Sequence, residues 1–270
     1  MQELPLSEQV FAQIRGLMHE SIGLDLAPHK RTLVSARLGP RIQRLGLRDF
    51  DAYLHRVCSD SGGGEFQMMV DLLTTHETYF FREPRHFDVM EAELSERRPA
   101  SLRVWSAASS FGDEAYSLAM LLSELAARRV IGREWSVLGT DISERVLRSA
   151  IEGVYPADRL RHVSEERLKR HCLQGHGESE GLVAMRPDLK ARVSFGQANL
   201  CHSVQGVGLF DVVFLRNVLI YFDGPTKTEV VERVLAQLKP GGLFFIGSAE
   251  GRVPCAASLV PITPGAFRKA

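Results

Sequence analysis

Thr74-Thr75-His76-Glu77-Thr78-Tyr79-Phe80-Phe81-Arg82-Glu83 and Arg216-Asn217-Val218-Leu219-Ile220-Tyr221-Phe222-Asp223 each combine aromatic side chains with one arginine, and they lie far apart in the sequence. Such segments read as two walls of one pocket. Arg82 leaves its aromatic run just before Glu83-Pro84, where the chain is expected to turn, and a guanidinium there can grip a carboxylate through two parallel hydrogen bonds. The alternative is an ion pair with Glu77 or Glu83. Tyr221 follows an apolar run and can project its hydroxyl over the same pocket, or sit in a core with one satisfied hydrogen bond. The polar pair Arg216-Asn217 ends the apolar run Val212-Val213-Phe214-Leu215, as expected where the carboxyl end of a buried strand meets a ligand crevice.

The turn Ser106-Ala107-Ala108-Ser109-Ser110-Phe111-Gly112-Asp113-Glu114 joins an apolar strand to a helix, the place where α/β sheets hold nucleotide-like cofactors. Dinucleotide fingerprints bring three glycines to a pyrophosphate, whereas this turn has one, Gly112, so a phosphate-free ligand fits better than NAD. Further on, Asp141 ends Leu138-Gly139-Thr140-Asp141, where a carboxylate can accept both hydroxyls of a ribose or, alternatively, cap the helix that begins near Ser143. S-adenosylmethionine satisfies the first description, and the combination points to an enzyme.

The elements that would position these residues follow from periodicity. Val10, Phe11, Ile14, Leu17 and Met18 recur at helical spacing behind a Ser7 N-cap, and similar patterns continue to about residue 73 with breaks at Gly23, Gly46 and Gly62-Gly63-Gly64. From residue 102 the pattern alternates strand and helix: strands at 102–105, 136–140, 193–195 and 210–215, helices at 116–127 and 143–151. That alternation predicts a parallel sheet. Glycines and a β-like piece at 182–185 mark an insertion over residues 154–190. The end reads as a helix over 226–238, a Lys239-Pro240-Gly241-Gly242 turn, a strand over 243–247 and a closing strand near Phe267.

The chain has 270 residues and 44% hydrophobic content, enough for a sizeable core. Lys plus Arg equals Asp plus Glu at 33 each, so no global field favours nucleic acid and any electrostatic partner must meet a local patch. One exists: residues 29–56 carry seven Lys or Arg against Asp49 and Asp51. Arg37, Arg41, Arg44 and Arg48 would share one helix face and could meet an acidic surface, unless Pro40 starts the helix and drops Arg37 from the stripe. An ordinary solvated face is the other reading. Cys58, Cys172, Cys201 and Cys255 form no C-x-x-C pair, and the amino terminus lacks a basic start and apolar run, so reduced thiols and a cytoplasmic location are expected.

Together the motifs resemble the CheR family, the chemotaxis receptor glutamate methyltransferases. The resemblance rests on His29-Lys30-Arg31 and the arginines after it, the segments at 74–83, 105–117 and 216–223, Thr140-Asp141-Ile142, and Asn199-Leu200. It implies an α/β fold: a Rossmann-like class I methyltransferase domain over 76–270 with an antiparallel β-subdomain inserted at about 154–190, preceded by a small all-helical receptor-docking domain over 1–75. It further implies that S-adenosylmethionine, and its product S-adenosylhomocysteine, touch His76, Thr78, Arg82, Glu114, Asp141, Asn199, Leu200, Arg216 and Asn217, with no metal. Arg82 and Tyr221 would meet the substrate carboxylate, while Tyr79, Phe80, Phe81 and Phe222 exclude water. The partners implied are receptor cytoplasmic helices on the basic stripe and a receptor carboxyl-terminal peptide, which would pair with the insertion near residues 175–186, with Arg186 meeting an acidic group; a plain surface hairpin is the alternative. The family often has asparagine where His76 stands, threonine where Phe111 stands and Gly-Glu-Glu-Pro where this chain has Gly112-Asp113-Glu114-Ala115. That altered turn leaves a second reading, a non-catalytic receptor-binding adaptor.

Overall fold

Ser7 accepts a hydrogen bond from the Val10 amide at 3.2 Å and so starts α1 (Glu8–Ile22), which buries Val10, Phe11, Ile14, Met18 and Ile22 along one stripe. A cap of this kind is worth about 1 kcal/mol. Gly23, with φ 72°, ends the helix in a left-handed turn. Three more helices follow: α2 (Arg31–Arg44), α3 (Phe50–Ser59) and α4 (Gly64–Leu73). These belong to a computed structural model that describes residues 4–202, 204, 206–251, 253 and 258–270; Cys255 lies outside them. Met1–Thr75 with Tyr221–Thr226 form one unit and His76–Ile220 with Lys227–Ala270 another.

In the first unit α2 runs unbroken through Gly39-Pro40. Proline removes one helix hydrogen bond, and the burial of Val34, Leu38, Gly39 and Ile42 offsets that loss. Arg37, Arg41 and Arg44 therefore share a helix, while Arg48 lies beyond its end. The guanidinium of Arg37 donates to the carbonyls of Leu73 and Thr74 at 2.7 and 3.1 Å, capping α4, and Arg41 forks onto Glu65 at 2.9 and 2.6 Å. Arg37 and Arg41 of the expected stripe are thus tied to partly buried groups inside this unit. Arg44 and Arg48 are exposed, the latter beside Asp49.

The second unit is built on a seven-stranded sheet. Its strands are β1 (Ser101–Ser106), β2 (Glu134–Asp141), β6 (Val193–Gln197), β7 (Phe210–Leu215), β8 (Leu238–Ile246), β9 (Leu259–Thr263) and β10 (Ala266–Lys269), in the order β6-β2-β1-β7-β8-β10-β9. The first five run parallel, and β10 pairs antiparallel with both β8 and β9. Packed with it are α5 (Pro84–Arg97), absent from the sequence-based expectation, α6 (Asp113–Ala127) and α7 (Glu144–Glu152). Eleven of the fifteen residues of α6 are buried, and its apolar side chains are spread round the helix rather than confined to one stripe. Helix α10 (Gly224–Ala236) ends short of β8, and β8 starts at Leu238 rather than 243. The expected Lys239–Gly242 turn is a bulge inside that strand: Phe210 faces Leu238 and Val212 faces Leu243, so extra residues of β8 loop out.

Residues 154–190 fold as an inserted antiparallel sheet of β3 (Val154–Pro156), β4 (Cys172–Gln174) and β5 (Leu182–Met185), with α8 (Glu165–His171) and α9 (Pro187–Lys190). β5 is the middle strand. The expectation of an exposed edge leading from residues 175–186 is corrected accordingly: the edges belong to β3 and β4, because β5 pairs on both sides.

Candidate active site

The parallel strands β1, β2 and β7 deliver their carboxyl ends to one place. After β1 the chain turns tightly, with the Ser109 amide on the Thr140 carbonyl at 2.8 Å and Gly112 in a left-handed conformation at φ 89°. A Cβ on Gly112 would lie 2.9 Å from the Ala150 Cβ and 3.1 Å from the Tyr155 hydroxyl, so only glycine fits. At the end of β2, Asp141 accepts from the Ser110 amide at 2.8 Å with one oxygen and from the Ser143 amide at 3.0 Å with the other. Burial pushes its carboxyl up, against the pull of these amides and of nearby His76. Asp141 fastens two turns, and the helix-cap reading is corrected because Ser143, not Asp141, caps α7; each carboxylate oxygen has two lone pairs. The Ser109 hydroxyl beside it is buried without a hydrogen-bond partner. A buried carboxylate, an orphan hydroxyl and a glycine turn suit a neutral ribose better than a phosphate.

Glu114, in the first turn of α6, accepts from the Ser106 hydroxyl at 2.7 Å and pairs with Arg216 at 2.7 Å. Arg216 is 4% exposed and lies over the rings of Phe87 and Phe214. It also donates to the Arg82 carbonyl at 2.8 Å and to His86 Nδ1 at 3.1 Å; burial and this guanidinium hold the His86 imidazole below its usual range, neutral and able to accept. Asn217, at φ 59°, donates to Glu83 at 3.4 Å. The two motif segments therefore meet within this unit, through Arg216 and Asn217 on one side and Arg82 and Glu83 on the other. Glu250, which nothing in the sequence singled out, accepts from the amides of Val218 and Leu219 at 2.8 Å and fixes the loop that follows.

Backbone strain concentrates here. Phe81, Glu83, Ser110 and Asn217 all have positive φ, and among the described residues only Arg98 and Arg129 join them outside glycine. Each such residue costs on the order of 1 kcal/mol and persists only where its surroundings fix it.

Other expected site residues are placed as follows. Arg82 is half-buried, donates to the Glu77 carbonyl at 2.7 Å and lies over the Tyr79 ring, so it forms no ion pair with the Glu77 or Glu83 carboxylates. His76 is half-buried, its carbonyl accepting from Ser110 and its ring edge-on to Phe111 at 6.1 Å; Thr78 is half-buried in the extended stretch after it. Beyond β6 the Ala198 amide donates to the Asp141 carbonyl at 3.0 Å, which brings Asn199 and buried Leu200 to the same end of the sheet. Asn199 accepts from the Cys201 amide at 3.0 Å. Phe80 and Phe81 do not line a water-excluding wall as expected, because both are core residues at 0% and 7% exposure; Tyr79 remains half-exposed. Tyr221 and Phe222 belong to the first unit, where the Tyr221 carbonyl accepts from the Asp25 amide at 2.9 Å.

Among the described residues no helix is long and apolar enough to cross a membrane, and no cluster of His, Cys, Asp and Glu could hold a metal ion. Residues 9–74 match the domain described as CheR methyltransferase, all-alpha domain, and residues 76–257 match CheR methyltransferase, SAM binding domain. The chemotaxis protein methyltransferase of Escherichia coli (strain K12) is 41% identical over 92% of this chain and 86% of its own length. Chemotaxis protein methyltransferase 2 of Pseudomonas aeruginosa is 39% identical over 93% of this chain and 90% of its own length. With the α/β sheet, the single-glycine turn and the buried carboxylate after β2 in agreement, the chain belongs to the CheR methyltransferase family, whose larger domain binds S-adenosylmethionine.

Proposed function

We propose that this chain methylates glutamate side chains of chemoreceptor cytoplasmic helices, forming methyl esters. The observation that carries this reading is the Glu114–Arg216–Arg82 chain of contacts, which anchors the backbone at Arg82 to the start of α6 and leaves the half-buried Arg82 guanidinium, among the described residues, on a carbonyl and a ring without an ion pair. Such a guanidinium can turn to a carboxylate without giving up an ion pair. S-adenosylmethionine supplies an electrophilic methyl group when bound. A glutamate with pKa near 4.3 is ionised at pH 7, so the protein need only orient the carboxylate and exclude water, with no catalytic base.

In this reading Asp141 accepts the ribose hydroxyls, with Ser109, His76, Thr78, Asn199 and Leu200 around the adenosine. Glu114 faces the amino-acid end, and Arg216 and Asn217 hold Glu114 and Glu83 in place. For Tyr221 a role at the substrate carboxylate rests on the family motif alone. Docking on receptor helices is assigned to the basic helix α2 and the segment after it. A receptor carboxyl-terminal peptide would add as a strand to the outer edge of β4, where Leu173 is exposed. Domain boundaries near residue 75 accompany the same proposal.

The test is incubation with radiolabelled S-adenosylmethionine and receptor cytoplasmic domains, scored for base-labile methyl ester. Arg82→Ala should lower kcat by about a hundredfold or more, as for a lost positioning contact, and Tyr221→Phe by less. Wild-type rates in both folded variants would remove these residues from the site. Absence of ester label in receptors, with label elsewhere, would overturn the substrate assignment.

A further inference from the structure

The cofactor turn is held partly from outside the main sheet. Asp113, the first residue of α6, is fully buried and takes a two-pronged pair from Arg159, Nε at 2.7 Å and Nη2 at 3.0 Å. Arg159 lies in the inserted segment between β3 and α8. Its guanidinium also covers the ring of Phe111, 4.6 Å from the centroid, and the neighbouring Tyr155 of β3 donates its hydroxyl to the Phe111 carbonyl at 2.8 Å. Two acids therefore stand side by side at the start of α6, each met from its own direction: Glu114 by Arg216 at the end of β7, Asp113 by Arg159 from the insertion.

We infer that Arg159 is a positioning residue for cofactor binding, by which the inserted β-subdomain fixes the Ser110–Glu114 turn in its cofactor-binding shape. Ser110 has a positive φ without being glycine, so this turn relaxes unless it is held. Asp141 holds Ser110, while Tyr155 and Arg159 hold Phe111 and Asp113. The bulky Phe111 ring is part of the clamp: it gives the guanidinium a flat surface, which a small side chain at this position would not. A ring in the turn is then compatible with cofactor binding, because the ring is packed against the Arg159 guanidinium, with Arg145 of α7 at 5.8 Å. By reciprocity, any ligand of the small sheet that shifts Arg159 changes cofactor affinity.

The inference rests on the cofactor reading proposed above, and the experiment separates the two. S-adenosylhomocysteine is titrated calorimetrically into wild type, Arg159→Gln, Arg159→Lys and the double variant Asp113→Asn/Arg159→Gln, with thermal melts alongside. Arg159→Gln alone leaves a buried carboxylate unpaired and can fail to fold; the double variant removes that charge. Affinity is expected to fall about tenfold in the double variant and less in Arg159→Lys, which keeps one charged hydrogen bond. KM for S-adenosylmethionine should rise with kcat and the receptor KM unchanged. Wild-type affinity in the folded double variant overturns the inference and leaves the cofactor reading standing. A folded wild type that binds no S-adenosylhomocysteine overturns both.

Discussion

At the scale of single residues, Asp141 and Glu114 show how two buried carboxylates are assigned different work. Glu114 is matched by a guanidinium, so its charge is compensated before any ligand arrives. Asp141 has only amide donors, and burial raises its pKa despite them. The ionised form of Asp141 is thus disfavoured by folding at neutral pH, and this cost is relieved as pH falls through the raised value. Ribose hydroxyls would offset it by donating to the free lone pairs. S-adenosylhomocysteine affinity should accordingly decline on acidification while the pH is still above the ordinary aspartate range. Asp141→Asn should weaken binding by about 1.5 to 3 kcal/mol and abolish that pH dependence, since an amide does not titrate there. Calorimetry of the folded variant across pH decides it; an unchanged affinity takes Asp141 out of the site.

At the scale of elements, the inserted segment grips α6 near both ends. Arg159 pairs with Asp113 at its start, and Arg167 of α8 forks onto Glu124 at 2.9 and 3.0 Å while lying over the Phe81 ring at 4.3 Å. Burial alone would push Glu124 up, but the Arg167 fork and the His171 imidazole 3.5 Å away hold its carboxyl down at about 2. A depressed carboxylate stabilises the fold fully above its unfolded pKa near 4.5 and loses that contribution as pH falls toward about 2. Glu124→Gln should therefore cost roughly 2 kcal/mol at pH 7, and the difference from wild type should shrink only below about pH 4.5. Urea unfolding at pH 7, 5 and 4 measures this; a deficit that is already smaller at pH 5 would assign the stability elsewhere. None of these contacts was legible beforehand. Strands and helices of the main sheet announce themselves through apolar periodicity, and the turn motifs through glycine and acid placement. Arg159, Arg167 and Glu250 are polar residues in stretches without periodicity, and their partners are distant in sequence. Phe80 and Phe81 misled for the opposite reason: an aromatic run looks the same whether it lines a cleft or fills a core.

At the scale of the whole molecule, balanced charge means that the proposed receptor docking must use local patches, and within the basic stretch the first unit leaves Arg44 and Arg48 exposed. Arg41 and Glu65 are paired with the glutamate almost wholly covered, and Arg37 caps α4, so reversing either charge would leave buried groups unmatched and unfold the unit before it could report on docking. Arg44 and Arg48 are exposed, as are Lys30 and Arg31, and can be altered at little cost to the fold. The variant Arg44→Glu/Arg48→Glu should raise the KM for receptor about tenfold while leaving kcat and S-adenosylhomocysteine affinity at wild-type values. Raising salt should increase the wild-type KM and narrow the gap between wild type and variant, because exposed charges are screened within about 10 Å at 0.1 M ionic strength. A KM indifferent to both salt and charge reversal would mean that these arginines form an ordinary solvated face, and receptor recognition would then have to come from the edge of β4.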